Sequence, residues 1–128
     1  MKAETFVVAG GIYCLGFAVF HLAFWKVFRW KEDLRSLTYI NRAIMQILNL
    51  CLTFAFVVFA VPSLAMPRDM VSTDLGRMLL MLIAIFWLLR AGEQVWFFGL
   101  RNRVSIAFFA LFLAGSALYA APLVMAAQ

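Results

Sequence analysis

Apolar residues fall in four long runs, and polar residues are mostly confined to short stretches between them. The runs cover about residues 5–25, 43–61, 75–100 and 104–124. At ~1.5 Å of rise per residue, each is long enough to cross the ~30 Å hydrocarbon core as a helix. Hydrocarbon supplies no hydrogen-bond partners, so a spanning segment has to satisfy its own backbone, which a helix does. The predicted fold class is therefore all-α: a polytopic membrane protein, a four-transmembrane-helix bundle with short loops, forming one domain over residues 1–128.

Local signals place the ends of these helices. The second helix is expected to start before its apolar run, near Ser36, and to stop at Pro62 and Pro67, because proline cannot continue a helix interior. Ser72, Thr73 and Asp74 offer N-caps for the third. The first run has one lysine before it, Lys2, and continues into FWKVFRW with no small-residue cleavage site, which predicts an uncleaved helix.

Composition agrees with this pattern. Of the 128 residues, 66% are hydrophobic and 13% charged. Soluble domains average roughly 45–50% and about 25%. The net charge of +5 is unevenly placed. Lys26, Arg29, Lys31, Arg35 and Arg42 separate the first two spans, and Arg101 and Arg103 separate the last two, whereas the other side carries Lys2, Arg68 and Arg77. The positive-inside rule puts residues 26–42 and 101–103 in the cytoplasm and both termini outside, and the expected location is a bacterial inner (plasma) membrane. Arg29, Lys31 and Arg35 are read as topology signals that touch anionic lipid, and Trp25, Trp30, Tyr39 and Trp96 as an aromatic belt. No nucleic-acid partner is predicted.

The exceptions to the apolar pattern are the candidate site. Arg90 and Glu93 interrupt the third run, and charges at that depth default to a functional reading. His21 lies ~7 Å inside the basic boundary, and Asn49 and Glu93 ~10 Å inside it, with Arg90 near the midplane. Arg42, Gln46, Asn49 and Thr53 share one face of the second helix. Arg90, Glu93 and Gln94 share one face of the third, and Cys14, Phe17, His21 and Trp25 one face of the first. Polar faces avoid lipid, so His21, Arg42, Gln46, Asn49, Arg90, Glu93 and Gln94 are expected to converge. In that reading Arg90 holds an anion, Glu93 orients it, Gln46 and Asn49 supply neutral hydrogen bonds, and His21 carries a proton. Arg42 can also snorkel to headgroups, the amides can serve as interhelical glue, and Arg90 with Glu93 can be a structural pair.

No cofactor and no metal are predicted: a single histidine with one intramembrane carboxylate offers no ligand set. Cys14 and Cys51, both inside spans, read as small apolar residues. Ala107, Ala110, Ala114, Ala117 and Ala121 form a small-residue face on the fourth helix. It suits either packing on the first helix or a homo-oligomer seam, with Phe108, Phe109 and Phe112 turned to lipid or a neighbour.

Four spans, outward termini and a polar stripe on the second helix resemble the membrane-associated eicosanoid and glutathione metabolism proteins. In that family the second helix carries Arg-Ala, then an asparagine and a glutamate. Arg42, Ala43, Gln46 and Asn49 stand at this spacing, with the asparagine and glutamate replaced by Gln46 and Asn49 and the usual histidine by Ile44. The resemblance covers about ten residues and the topology, and implies a trimer that binds glutathione or lipid between subunits.

The leading expectation is a non-enzymatic protein that binds or translocates a lipid headgroup or small anion in the cytoplasmic half of the membrane. A lipid or glutathione transferase and an assembly subunit are the alternatives. The topology predicts that a cysteine placed at Ser36 escapes a membrane-impermeant reagent in intact cells while one at Ser63 reacts. The reverse pattern would invert the orientation.

Overall fold

The computed structural model describes residues 2–126. Its helices are α1 (Ala3–Leu22), α2 (Phe24–Val27), α3 (Trp30–Asp33), α4 (Tyr39–Ala65), α5 (Pro67–Ser72), α6 (Asp74–Glu93) and α7 (Arg103–Ala126). A 3-10 turn at Leu34–Ser36 follows α3, and a π turn at Gln94–Phe98 follows α6. Four helical stretches are long and apolar enough to cross a membrane: Ala3–Leu22, Tyr39–Ala65, Asp74–Phe98 and Arg103–Met125. The protein is an all-α, four-helix membrane bundle. Residues 23–38 and 99–102 lie at one end, the basic end, and α5 closes the opposite, terminal end.

Helix boundaries follow hydrogen-bond chemistry more closely than hydropathy. Thr38 caps α4 by accepting from the Asn41 amide at 3.4 Å, so this helix begins three residues after the expected Ser36. Pro62 does not end it; α4 runs on to Ala65. Spanning helices tolerate proline's lost N–H, and here the helix continues for three residues past Pro62. The break comes at Met66, and Pro67 then occupies the first turn of α5, where its missing donor is harmless. Of the three candidate caps on α6, Thr73 does the work, accepting from the Gly76 amide at 3.0 Å. The continuous helix expected to Leu100 instead widens into the π turn and ends at Gly99, whose φ of 67° glycine adopts without strain. Likewise α1 stops at Leu22. The chain turns again at Arg29, with φ of 50°, and the buried Trp30 and Leu34 hold this short-helix segment against the bundle.

α1 packs along α4 on one side and α7 on the other, α7 packs on α6, and the α4 and α6 backbones barely meet. Side chains bridge that gap. Phe56 of α4 stacks on Trp87 of α6 at 5.3 Å and 13°, and Phe59 meets Phe86 at 5.2 Å. Phe17 of α1 lies 4.8 Å from Trp87, and Phe112 of α7 lies 6.0 Å from it. One buried ring from each spanning helix therefore meets in a single layer. Phe112, expected at a lipid-facing position, is part of this core. Trp87 fits because α7 carries Gly115 beside it, where a Cβ would come within 2.9 Å of the indole.

The alanine face of α7 is not used within the chain. Ala107, Ala110, Ala114 and Ala117 are exposed, and Phe112, Gly115, Tyr119 and Pro122 turn inward instead. The two sets lie on opposite sides of the helix, since two residues advance it by ~200°. This corrects the reading that the alanines pack on the first helix. Ser63 is fully buried, so Ser72, which is exposed, is the better terminal-end position for a label.

α5 lies so close to the start of α6 that a Cβ on Gly76 would stand 2.2 Å from the Asp69 carbonyl oxygen. Gly76→Ala should lower stability by about 1–3 kcal/mol through overpacking. Gly16→Ala, with nothing within 4 Å, should not. Thermal unfolding in detergent followed by circular dichroism checks both.

Candidate functional site

His21, near the end of α1, and Asn49 on α4 clamp each other. Asn49 Nδ2 donates to the His21 carbonyl at 3.0 Å, which fixes the amide orientation. Its Oδ1 then faces His21 Nδ1 at 2.8 Å. An amide oxygen only accepts, so Nδ1 carries the proton and Nε2 is left with a lone pair. Thr53 donates to the Asn49 carbonyl at 2.8 Å. Phe24 stacks on the imidazole at 4.3 Å, and Phe56 lies 5.1 Å away.

One turn nearer the basic end α4 is joined by α2, which follows α1. Trp25 Nε1 donates to Gln46 Oε1 at 3.2 Å, and Gln46 Nε2 donates to the Arg42 carbonyl at 3.1 Å. Arg42 Nη2 donates to the Leu37 carbonyl at 3.2 Å, while its Nε is buried with no acceptor. These groups border a cavity of about 390 Å³, whose other walls are Trp30, Lys31, Leu34 and Arg35. Trp25 and Trp30 meet edge-to-face at 5.2 Å on its apolar side. No carboxylate lines it. Glu32 is engaged outside by Arg29, and among the described residues no carboxylate lies within 4.0 Å of the Lys31, Arg35 or Arg42 nitrogens. The cavity thus combines three uncompensated cations with an aromatic wall and one amide. Such a set can hold a phosphate or carboxylate through charge-assisted hydrogen bonds.

The remaining candidates form a second group between α6 and α7. Arg90 sits 4.5 Å over the Phe112 ring, an attractive cation–π placement. Its Nη1 is 3.7 Å from Glu93, and its Nη2 donates to Gln94 at 3.5 Å. Gln94 donates to Ser105 at 2.9 Å, and Ser105 donates to the Gly99 carbonyl, which closes the turn between the helices. His21 follows Phe17 by four residues and Arg90 follows Trp87 by three, so each lies about one turn from the four-ring layer toward the basic end. Among the described residues no hydrogen bond or ion pair joins them. The structure therefore brings His21, Asn49, Gln46 and Arg42 together, and separately Arg90, Glu93 and Gln94. The Glu93 side chain is 56% exposed, so it points away from both the cavity and the clamp.

Sequence reasoning took Lys31 and Arg35 as loop charges and missed them as cavity walls. The available signal was their i,i+4 spacing, interleaved with Trp30 and Leu34 at the same spacing. It also missed a polar network in the terminal half. Ser63 Oγ, already donating to Phe59, accepts from Tyr119 at 3.1 Å, and Tyr119 in turn accepts from the Cys14 thiol at 3.3 Å. All three residues are fully buried, and the chain of bonds ties α1, α4 and α7 together. Among the described residues no group of three or more His, Cys, Asp or Glu side chains could hold a metal ion.

Comparison with protein-family models, curated proteins and solved structures finds no match to this chain.

Asn49→Ala removes both bonds of the clamp and strands a carbonyl and an imidazole N–H. It should lower stability by about 1–2 kcal/mol, measured as thermal unfolding in detergent. Asn49→Asp, which sets a carboxylate oxygen against the His21 carbonyl in place of the donor, should lose at least as much as the alanine variant at a pH where the carboxylate is charged.

Proposed function

We propose that this protein is a non-enzymatic membrane protein that binds the anionic headgroup of a lipid at its basic end, facing the cytoplasm. The observation that carries the reading is the cavity between α3 and α4, with Lys31, Arg35 and Arg42 on its walls and no acid among its lining residues. Basic pockets at the cytoplasmic ends of spanning helices suit anionic headgroups. The buried, unpaired Arg42 Nε is a donor that needs an acceptor, because an unsatisfied buried group costs about 1–3 kcal/mol. Trp25, Trp30 and Leu34 offer apolar surface for the glycerol and first methylenes of such a lipid. Gln46 supplies a neutral hydrogen bond at the inner wall. The volume suits a headgroup rather than an entire lipid.

Binding is favoured over translocation by the four-ring layer, which fills the middle of the bundle with Phe17, Phe56, Trp87 and Phe112. Arg90, Glu93 and Gln94 belong in this reading to the packing of α6 on α7 rather than to ligand contact, with Phe112 as the partner of the guanidinium.

The test is a thermal-stability titration of the detergent-purified protein with phosphatidylglycerol, phosphatidylcholine or inorganic phosphate. Phosphatidylglycerol should raise the transition temperature and phosphatidylcholine should not, because only a ligand preferring the folded state stabilises it. Arg42→Gln should weaken phosphatidylglycerol binding about tenfold, and neutralising Lys31 and Arg35 as well should abolish it. Equal stabilisation by inorganic phosphate would assign the cavity to a soluble anion. Equal stabilisation of wild type and the triple variant would refute the reading.

A further inference from the structure

We infer that His21 Nε2 is a proton-binding site coupled to the headgroup cavity, so that binding an anionic headgroup takes up a proton. The inference rests on the headgroup reading above and adds a second ligand, the proton, at a separate place.

The geometry of the clamp is the starting point. Asn49 holds His21 from two directions, through the backbone carbonyl at 3.0 Å and Nδ1 at 2.8 Å. Reversing the amide would set its NH2 group against the bare Nδ1 but its oxygen against the carbonyl oxygen, which repels. Asn49 therefore selects the Nδ1–H tautomer and turns the basic nitrogen, Nε2, away from itself. Among the described residues no donor meets Nε2 within hydrogen-bond distance, and the imidazole is only half-buried.

Position supplies the coupling. His21 precedes Trp25 by four residues and Asn49 follows Gln46 by three. Trp25 and Gln46 are bonded to each other on the cavity wall, so along α4 the Asn49 side of the clamp lies ~4.5 Å deeper than that wall. The elements at this end carry cations, Lys26 on α2, Arg42 on α4 and Arg90 on α6, of which Arg90 is paired with Glu93 at 3.7 Å. Glu93, the one acid in this region of α6, is turned outward, and α7 presents Phe108 and Phe112. Several positive groups oppose a further positive charge on His21 while the cavity is empty. An anion bound to Lys31, Arg35 and Arg42 offsets that opposition. By linkage, a proton on His21 must strengthen anion binding by the same factor.

Phosphatidylglycerol is the probe, because its phosphodiester does not titrate near neutrality. Affinity for wild-type protein should rise about tenfold between about pH 8 and about pH 6, the size expected of one added charge within ~10 Å of the ligand. His21→Gln, which keeps a donor for Asn49, should bind with a flat pH profile. As His21 is the only histidine, nitrogen-15 spectra of histidine-labelled wild type need no assignment. They should show the Nδ1–H tautomer in free protein at high pH, and imidazolium on adding phosphatidylglycerol near neutral pH. A free-state Nε2–H tautomer, a flat wild-type profile, or an unchanged slope in His21→Gln would each overturn the inference while leaving headgroup binding intact. Wild type that binds no phosphatidylglycerol at any pH would overturn the headgroup reading and this inference together.

Discussion

The layer of Phe17, Phe56, Trp87 and Phe112 is the contact on which the rest of the bundle depends. Lipid tails are as apolar as a leucine core, so burying apolar surface between helices gains little in a membrane, and association relies on close packing and polar contacts. Large, rigid rings make many contacts at once, and tilted or offset pairs at 4.5–7 Å are attractive beyond their area. Here each spanning helix contributes one ring, and Trp87 touches the other three. The layer also spans the separation of α4 and α6, whose backbones hardly approach. Small residues make room for it: Gly115 lets α7 close on Trp87.

Polar contacts flank this layer on both sides. Toward the terminal end, Cys14, Tyr119 and Ser63 run as a directed chain of hydrogen bonds ending on the Phe59 carbonyl. That carbonyl lies in the turn preceding Pro62, so the network ends on the backbone of α4. Toward the basic end, the His21–Asn49 clamp fixes α1 and the Trp25–Gln46 bond fixes α2 against α4, and Gln94–Ser105 ties the π turn after α6 to α7. Bonds of this kind are worth ~0.6–2 kcal/mol each in a bilayer, yet they set rotation and register, which apolar contacts alone leave loose.

The two flanking regions differ in what they leave open. The terminal network is sealed and each of its three side chains is hydrogen-bonded, while in the ring layer the Trp87 indole N–H is buried with no acceptor among the described residues. The basic end holds groups whose capacity is unfilled: Arg42 Nε without an acceptor, His21 Nε2 without a donor, and Lys31 and Arg35 without carboxylates. The short helices after α1 create this asymmetry. By turning at Arg29 and burying Trp30 and Leu34, they carry loop cations over the end of α4 and shape a cavity there. A chain of the same composition with straight helices and an extended loop would present those charges to water.

The four spans and their approximate limits were legible from residue order. Run length against bilayer thickness and a fixed rise per residue require no knowledge of neighbours. The interhelical role of Gln46 and Asn49 could be read the same way, because an amide at that depth has few alternatives. Helix rotation could not. Periodicity identifies a buried face only where the other face meets water, and in lipid both surroundings are apolar. Phe112 and the alanines of α7 were therefore indistinguishable in sequence, although one side forms the core and the other is exposed. The same limit left Arg90 and Asn49 as neighbours in depth with nothing to say that different helix pairs would hold them. The cavity was hidden for another reason. Lys31 and Arg35 owe their place to the Arg29 turn and to the seating of Trp30 on the bundle, and those contacts exist only once α1 and α4 have packed.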